Sequence, residues 1–171
     1  GRACVPGPFL ATVLAARVAA EAGETELAAR LVSGEARVGL AERWNDEKFS
    51  ILDAESATIA LLVDGDRVAL VDLDGVALEH IPSFDTLVPV ALAIDLDESA
   101  PLATAPDGEA LLRRGALLVA AMLAGMARAT TEQSVSYGID REQFGQPVGG
   151  FQAVKHRCAD MATRAEAAMC Q

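Results

Sequence analysis

Residues 141–152 read Arg141-Glu142-Gln143-Phe144-Gly145-Gln146-Pro147-Val148-Gly149-Gly150-Phe151-Gln152. Gly145 and Pro147 are turn formers, and on either side of them the apolar pattern is helical. Upstream, apolar residues run almost unbroken from Leu111 to Ala129, which predicts a helix buried on most sides. Asp107 can cap its N-terminus, and Glu109 suits its first turn. Continued to Tyr137, this helix would have ~30 residues and a length of ~45 Å. Gly138 and the Gly145-Gln146-Pro147 turn end it. Downstream, Phe151 to Met169 predicts the next helix, with Val154, Cys158, Met161 and Ala165 on one stripe. Long helices around a tight turn point to part of an antiparallel bundle.

The earlier sequence has a different rhythm. Pro6 and Pro8 open a helical stretch in which Leu10, Val13, Leu14, Val18 and Ala19 recur at helical spacing, and Gly23 closes it. Glu24 to Leu31 predicts a shorter helix, with Leu27 and Leu31 on one face and Ser33-Gly34 at its end. From Arg37 the period shortens, and Val38 and Leu40 suit a strand. Thr58 to Val63 and Arg67 to Val71 flank Asp64-Gly65, a hairpin signal. Val76 to Ile81 and Leu87 to Ile94 predict further strands, with Pro89 at an edge or a start. Ser99 to Pro106 reads as a linker. The fold class is therefore α+β: residues 1–35 helical, residues 36–106 a small β-domain, and residues 107–171 the start of a helical bundle.

Composition narrows the function. Apolar residues make up 51% of the 171, enough for a sizeable core, and aromatics are only 4%. The net charge is −11, with a pI near 4.5, which argues against binding nucleic acid or an anionic membrane. Cys4, Cys158 and Cys170 are odd in number and widely spaced, so they predict reduced thiols rather than a disulfide framework. With His80 and His156 as the only histidines, no zinc cluster is expected. No secretory signal opens the chain. The longest uncharged apolar run, Gly115 to Ala127, falls short of the ~20 residues that span a bilayer. A soluble, cytoplasmic protein is expected. Position 1 is not Met, and a helical pattern still runs at Gln171, so material is expected beyond both ends.

The stretch from Gly125 to Ala168 resembles the C-terminal helical domain of acyl-CoA dehydrogenases. In that family two long helices flank a turn of the form Arg-x-x-Phe-Gly-x-Pro-x-x-x-Phe-Gln, and Arg141 to Gln152 fits it in order. The continuation Ala153-Val154-Lys155-His156-Arg157-Cys158-Ala159-Asp160-Met161 fits as well. Gly1-Arg2 with Pro6 to Leu14 is similar to the end of the family's N-terminal helical domain, and Leu40-Ala41-Glu42 to the start of its β-domain. The resemblance implies FAD as cofactor, an acyl-CoA substrate, an oligomer of homologous subunits and an electron-transferring flavoprotein as redox partner. It implies that the turn reaches across a subunit interface to FAD held mainly by the neighbour. Arg141 can offer a planar fork of donors to a pyrophosphate. Gln143 and Gln152 can offer amide hydrogen bonds, and Phe144 and Phe151 can pack on the adenosine. The alternative for these residues is structural: Arg141 and Glu142 as a solvated helix end, Phe144 and Phe151 as core anchors, Gly145 and Pro147 as turn formers alone, and Asp160 as a solvent-facing residue.

The sequence also departs from the family. The Pro-Gly-rich loop that normally follows the start of the β-domain is replaced by Arg43-Trp44-Asn45-Asp46-Glu47, and there is no Trp-Ile-Thr stretch. Both segments contact the flavin ring and acyl-CoA in the family, so this chain is expected to hold its own FAD poorly. The reaction needs a carboxylate base near the substrate α-carbon. The one family position for it inside this chain falls near Gly115, and Glu109 and Glu132 lie elsewhere on the same helix. No catalytic residue is assigned. The expected role is a subunit that lends contacts while a related chain supplies flavin and base. The alternatives are a catalytically complete enzyme of which this is a part, and a structural relative that has lost flavin.

Overall fold

The computed structural model describes residues 7–170. Gly1-Arg2, Cys4, Pro6 and Gln171, on which some expectations rest, lie outside the described residues. The described residues divide into two compact units, residues 7–116 and residues 117–170.

In the first unit, α1 (Phe9–Glu21) and α2 (Thr25–Ser33) lead into seven strands. Leu27 and Leu31 are the buried face of α2, and Gly34, at φ 78°, ends it by donating its N–H to the Leu31 carbonyl. The strands are β1 (Val38–Arg43), β2 (Lys48–Leu52), β3 (Ile59–Asp64), β4 (Arg67–Asp72), β5 (Ala77–Ile81), β6 (Val90–Ile94) and β7 (Ala103–Thr104). Their order across the sheet is β5-β6-β2-β1-β3-β4-β7. β1 and β3 run parallel, and the other pairs are antiparallel.

Alternation along the central strands feeds two cores. Val38, Ile59, Leu61, Val68 and Leu70 pack with Leu14, Val18 and Leu31 of the helices. Ala41, Phe49, Ile51, Ala60, Leu62 and Val71 form the second cluster with Ala91 and Ala93. β3 is buried at four successive positions because both its faces are covered. The β3–β4 hairpin forms where Asp64-Gly65 predicts it. Asp64 pairs with Arg67, leaving Gly65 (φ 61°) and Asp66 as the loop.

The sequence pattern gives no strand between Leu40 and Thr58, yet β2 lies there, between β1 and β6. Its signal is only five residues long, with Phe49 and Ile51 buried. The stretch 99–106 is not a free linker. β7 lies within it and pairs with β4 through Ala69 and Leu70. Pro89 sits just before β6, where a missing N–H costs no ladder bond.

Helix α3 (Gly108–Asp140) has 33 residues, and the Ala110 N–H donates to Asp107 Oδ1 at 2.8 Å, the expected cap. Gly108 is required where the helix starts: a Cβ there would lie 1.7 Å from the Asp66 carbonyl oxygen.

In the second unit, α3 is not buried on most sides. Leu117, Met122, Leu123 and Met126 are exposed, and Ala124 is buried. α4 (Gln152–Met169) does show the expected stripe: Val154, Cys158 and Met161 are half-buried and Ala165 is buried, between exposed neighbours. A shallow groove lies between Arg128–Ile139 of α3 and Ala162–Glu166 of α4, as two helices returning alongside each other require. By length and composition α3 could cross a membrane. Its uncharged run, residues 115–127, would however extend only ~20 Å, against ~30 Å of hydrocarbon.

Candidate functional site

Past the end of α3 the backbone tightens into a small hairpin. β8 (Glu142–Gln143) pairs antiparallel with β9 (Gln146–Pro147), Gln143 opposite Gln146. The two tip residues, Phe144 (φ 54°) and Gly145 (φ 77°), are both left-handed. Two positive φ values in a two-residue loop are the type I′ arrangement, which matches strand twist. Gly145 adopts it freely. Phe144 does not, because its Cβ crowds the following carbonyl, at a cost of about 1–2 kcal/mol. Residues held in such conformations cluster where function requires them.

The tip is tied back by backbone bonds. The Arg141 N–H donates to the Tyr137 carbonyl at 2.9 Å, and the Val148 N–H to the Arg141 carbonyl at 2.7 Å. A 3-10 turn, Val148–Gly150, then delivers Phe151 to the N-cap position of α4. Phe151 stands edge-on to Phe144, with ring centroids 6.2 Å apart at 85°.

All five candidate residues fall within this one turn. Phe144 and Phe151 touch, and Phe144 is 93% exposed, so it is no core anchor within this chain. Arg141, Gln143 and Gln152 are exposed. Gln143 Nε2 donates to the Glu142 carbonyl at 2.9 Å. Among the described residues the Arg141 guanidinium has no ion-pair partner, whereas Arg17, Arg43, Arg67, Arg113 and Arg128 all do. Asp160 is exposed. An unpaired planar cation, two exposed amide side chains and a strained aromatic can together receive an anionic, aromatic ligand from outside the chain.

The corresponding corner of the first unit is closed. The β1–β2 connection folds on itself: the Trp44 N–H donates to the Lys48 carbonyl at 2.9 Å, and Asn45 Oδ1 accepts from the Glu47 and Lys48 N–H groups at 3.0 and 2.8 Å. Arg43 is engaged by Asp64 at 2.9 Å and Glu98 at 2.8 Å and lies 4.5 Å from the Phe49 ring centroid. Its hydrogen bonds to the carboxylates of Asp64 and then Glu98 raise its pKa above the usual arginine value. Arg67 completes the group, 2.7 Å from Glu98. These side chains bind one another and leave little to offer a flavin ring.

A cavity of about 360 Å³ lies in the same unit, with walls that include Leu10, Leu14, Leu61, Val63 and Leu111. Gly115 lines it, and a Cβ there would lie 3.2 Å from Leu14 Cδ1. Glu109 and Glu132 line no part of it; they pair with Arg113 and Arg128. Asp53 does line it. Its backbone is left-handed (φ 59°), no hydrogen bond reaches its carboxyl among the described residues, and burial raises its pKa above the usual carboxylate range. Sequence reasoning passes over Asp53 because an Asp after a strand is an ordinary turn residue.

Comparisons with known proteins show which family this chain is similar to. The family "Acyl-CoA dehydrogenase, C-terminal domain" matches residues 109–170. The acyl-CoA dehydrogenase FadE34 of Mycobacterium tuberculosis is 35% identical over 98% of this chain and 25% of its own length. The acyl-CoA dehydrogenase IpdE2 of Mycolicibacterium smegmatis is 34% identical over 94% of this chain and 49% of its own. The solved Tcur3481-Tcur3483 steroid ACAD superposes with a TM-score of 0.73 at 26% identity, covering 99% of this chain and 57% of that one. A glutaryl-CoA dehydrogenase from Mycobacterium smegmatis in complex with FADH2 shares the fold, with a TM-score of 0.66 at 21% identity over 93% of this chain and 51% of that one. Residues 109–170 match the C-terminal domain of the acyl-CoA dehydrogenase family, and nearly the whole chain is similar to curated acyl-CoA dehydrogenases. It spans between a quarter and a half of the length of these two curated relatives.

Proposed function

We propose that this chain is a subunit of a flavin-dependent acyl-CoA dehydrogenase that α,β-desaturates an acyl-CoA thioester, and that its turn 141–152 lends contacts to FAD held mainly by a homologous partner subunit. The carrying observation is what one short turn holds: an exposed Phe144 in a left-handed conformation and, three residues before it, an exposed Arg141 with no ion-pair partner among the described residues. Among the described residues the edge contact with Phe151 is the one ring contact that offsets the strain of that conformation, and a ligand presented by a neighbour would offset more of it. Bound FAD supplies the electron acceptor. Arg141 would meet its pyrophosphate, Gln143 and Gln152 would donate to it, and Phe144 and Phe151 would pack on its adenosine. The closed β1–β2 connection supports the view that this chain does not cradle the flavin ring.

The division into the end of an N-terminal helical domain (1–35), a shortened middle β-domain (36–106) and the start of a C-terminal bundle (107–171) belongs to the same proposal. So do a soluble, cytoplasmic location and an electron-transferring flavoprotein as acceptor. A steroid side chain is one candidate acyl group, since one solved relative is named a steroid ACAD. A second reading, a catalytically complete enzyme of which this is a part, draws on the share of its relatives that the chain spans.

Co-expression of the full-length protein with its homologous partner, followed by a flavin count, tests the reading. Alone the protein should be colourless, and with the partner yellow. Arg141→Ala removes a charge-assisted contact of about 1.5–3 kcal/mol, so flavin affinity should fall about tenfold to a hundredfold. A yellow, active homo-oligomer, or unchanged flavin affinity in the variant, would sink the lending role.

A further inference from the structure

We infer that the backbone contact between Gly138 and Gly149 is a positioning device that sets how Arg141 and Phe144 are presented to the flavin. The inference rests on the reading of the turn as a flavin-contacting element. Gly138 lies in the last turn of α3, and Gly149 in the 3-10 turn before α4. The two limbs of the turn meet there without side chains.

The contact is asymmetric. A Cβ on Gly149 would lie 2.8 Å from the Gly138 carbonyl oxygen and 3.1 Å from its carbonyl carbon. The obstacle is helix backbone, which cannot rotate aside. A Cβ on Gly138 would lie 3.7 Å from the nearest atom, the Gly149 Cα, which is ordinary contact. A Cβ on Gly150 would lie 3.3 Å from Gln146 Oε1, the free end of a flexible side chain. None of these three glycines has a left-handed φ, so an alanine at each acts through space and not through backbone preference.

Gly149 is the residue after Val148, whose N–H holds the Arg141 carbonyl at 2.7 Å. A methyl group at position 149 therefore pushes on the strand end that carries this bond. The β8–β9 hairpin leaves from the same place, so a displacement of a few tenths of an ångström at the glycine pair is carried out to Phe144. Gly149 touches no ligand in this scheme; it acts through Arg141 and Phe144.

The test uses the full-length protein in its oligomer and follows four variants by FAD titration, thermal melting and size-exclusion mass. Gly149→Ala should keep the oligomer and a cooperative melt but bind FAD about tenfold more weakly, a fraction of the roughly hundredfold loss that a full ~1 Å misplacement brings at a preorganised site. Gly138→Ala and Gly150→Ala should bind FAD within about twofold of the parent, because their contacts are ordinary or yielding. Arg141→Ala is the reference for the reading itself. If it weakens FAD and Gly149→Ala does not, positioning is overturned and the flavin reading stands. If Arg141→Ala leaves FAD affinity unchanged, the flavin reading falls, and the positioning role falls with it. A Gly149→Ala chain that loses its cooperative melt makes the contact structural and overturns the inference. An effect at Gly138 or Gly150 as large as that at Gly149 also overturns it, whether or not the Gly149 variant folds.

Discussion

Leu61 and Leu123 both sit in long apolar runs, yet Leu61 is 1% exposed and Leu123 is 55% exposed. The first belongs to a sheet covered on both faces. The second lies on α3, where only 17% of the most apolar window is buried. Side-chain partners divide the same way. In the first unit Arg43, Asp64, Arg67 and Glu98 bind one another. In the second, Arg141 and Phe144 face outward, one without an ion-pair partner among the described residues and the other strained. The core and the Arg43 cluster of the first unit complete their own interactions. The second is built to have them completed by something else, and the proposed subunit role follows from that contrast.

The largest expected effect separates the two units by stability. Leu61→Ala should cost about 2–5 kcal/mol through lost burial and a residual cavity. Leu123→Ala in this isolated chain should stay within about 0.5 kcal/mol, the range of surface substitutions. Urea melts of the two variants measure both. An equal loss at both sites would break the comparison, because Leu123 would then be buried in the isolated chain.

Phe144 gives an intermediate effect and sharpens the contrast. Replacing it with Gly removes the crowded Cβ from a φ of 54° and an exposed ring that does little for the isolated chain. Phe144→Gly should leave the isolated chain as stable as before or more so, by up to about 1 kcal/mol. In the oligomer it should weaken flavin retention. A stability loss in the isolated chain would show that the ring packs internally and that its strain is repaid at home.

Much of this was legible in the sequence, for identifiable reasons. A turn could be placed here because Gly145 and Pro147 leave few alternatives between two helical patterns, but its type I′ hairpin form could not. α2, the β3–β4 hairpin and the Asp107 cap follow from short-range chemistry, and the structure has them where the pattern puts them. β2 and β7 were not legible, because strands of five and two residues owe their existence to neighbours distant in sequence. The exposure of α3 was not legible either. Hydrophobicity states that a surface will be covered, not that the covering atoms lie in the same chain. The identities of Arg141, Phe144 and Gln152 could be read, but not the left-handed φ of Phe144 or the contact of Gly138 with Gly149, which are facts of backbone geometry.

Asp53 carries the smallest expected effect and tests how complete the first unit is. Burial raises its folded pKa, so the native state holds its proton to higher pH than the unfolded chain does. Stability from this group is therefore greatest at low pH. It declines as pH rises from the ordinary carboxylate value to the raised one, because the charged form is penalised in the cavity wall. Asparagine keeps the shape, tolerates the left-handed backbone and cannot ionise. Asp53→Asn should then raise the melting temperature slightly at neutral pH, by about 1–2 °C, and leave it unchanged well below the carboxylate range. Melting scans across pH would show the two curves converging in acid. A variant less stable at neutral pH would mean that the Asp53 carboxylate is used by the fold, and the cavity wall would then count as a satisfied polar site.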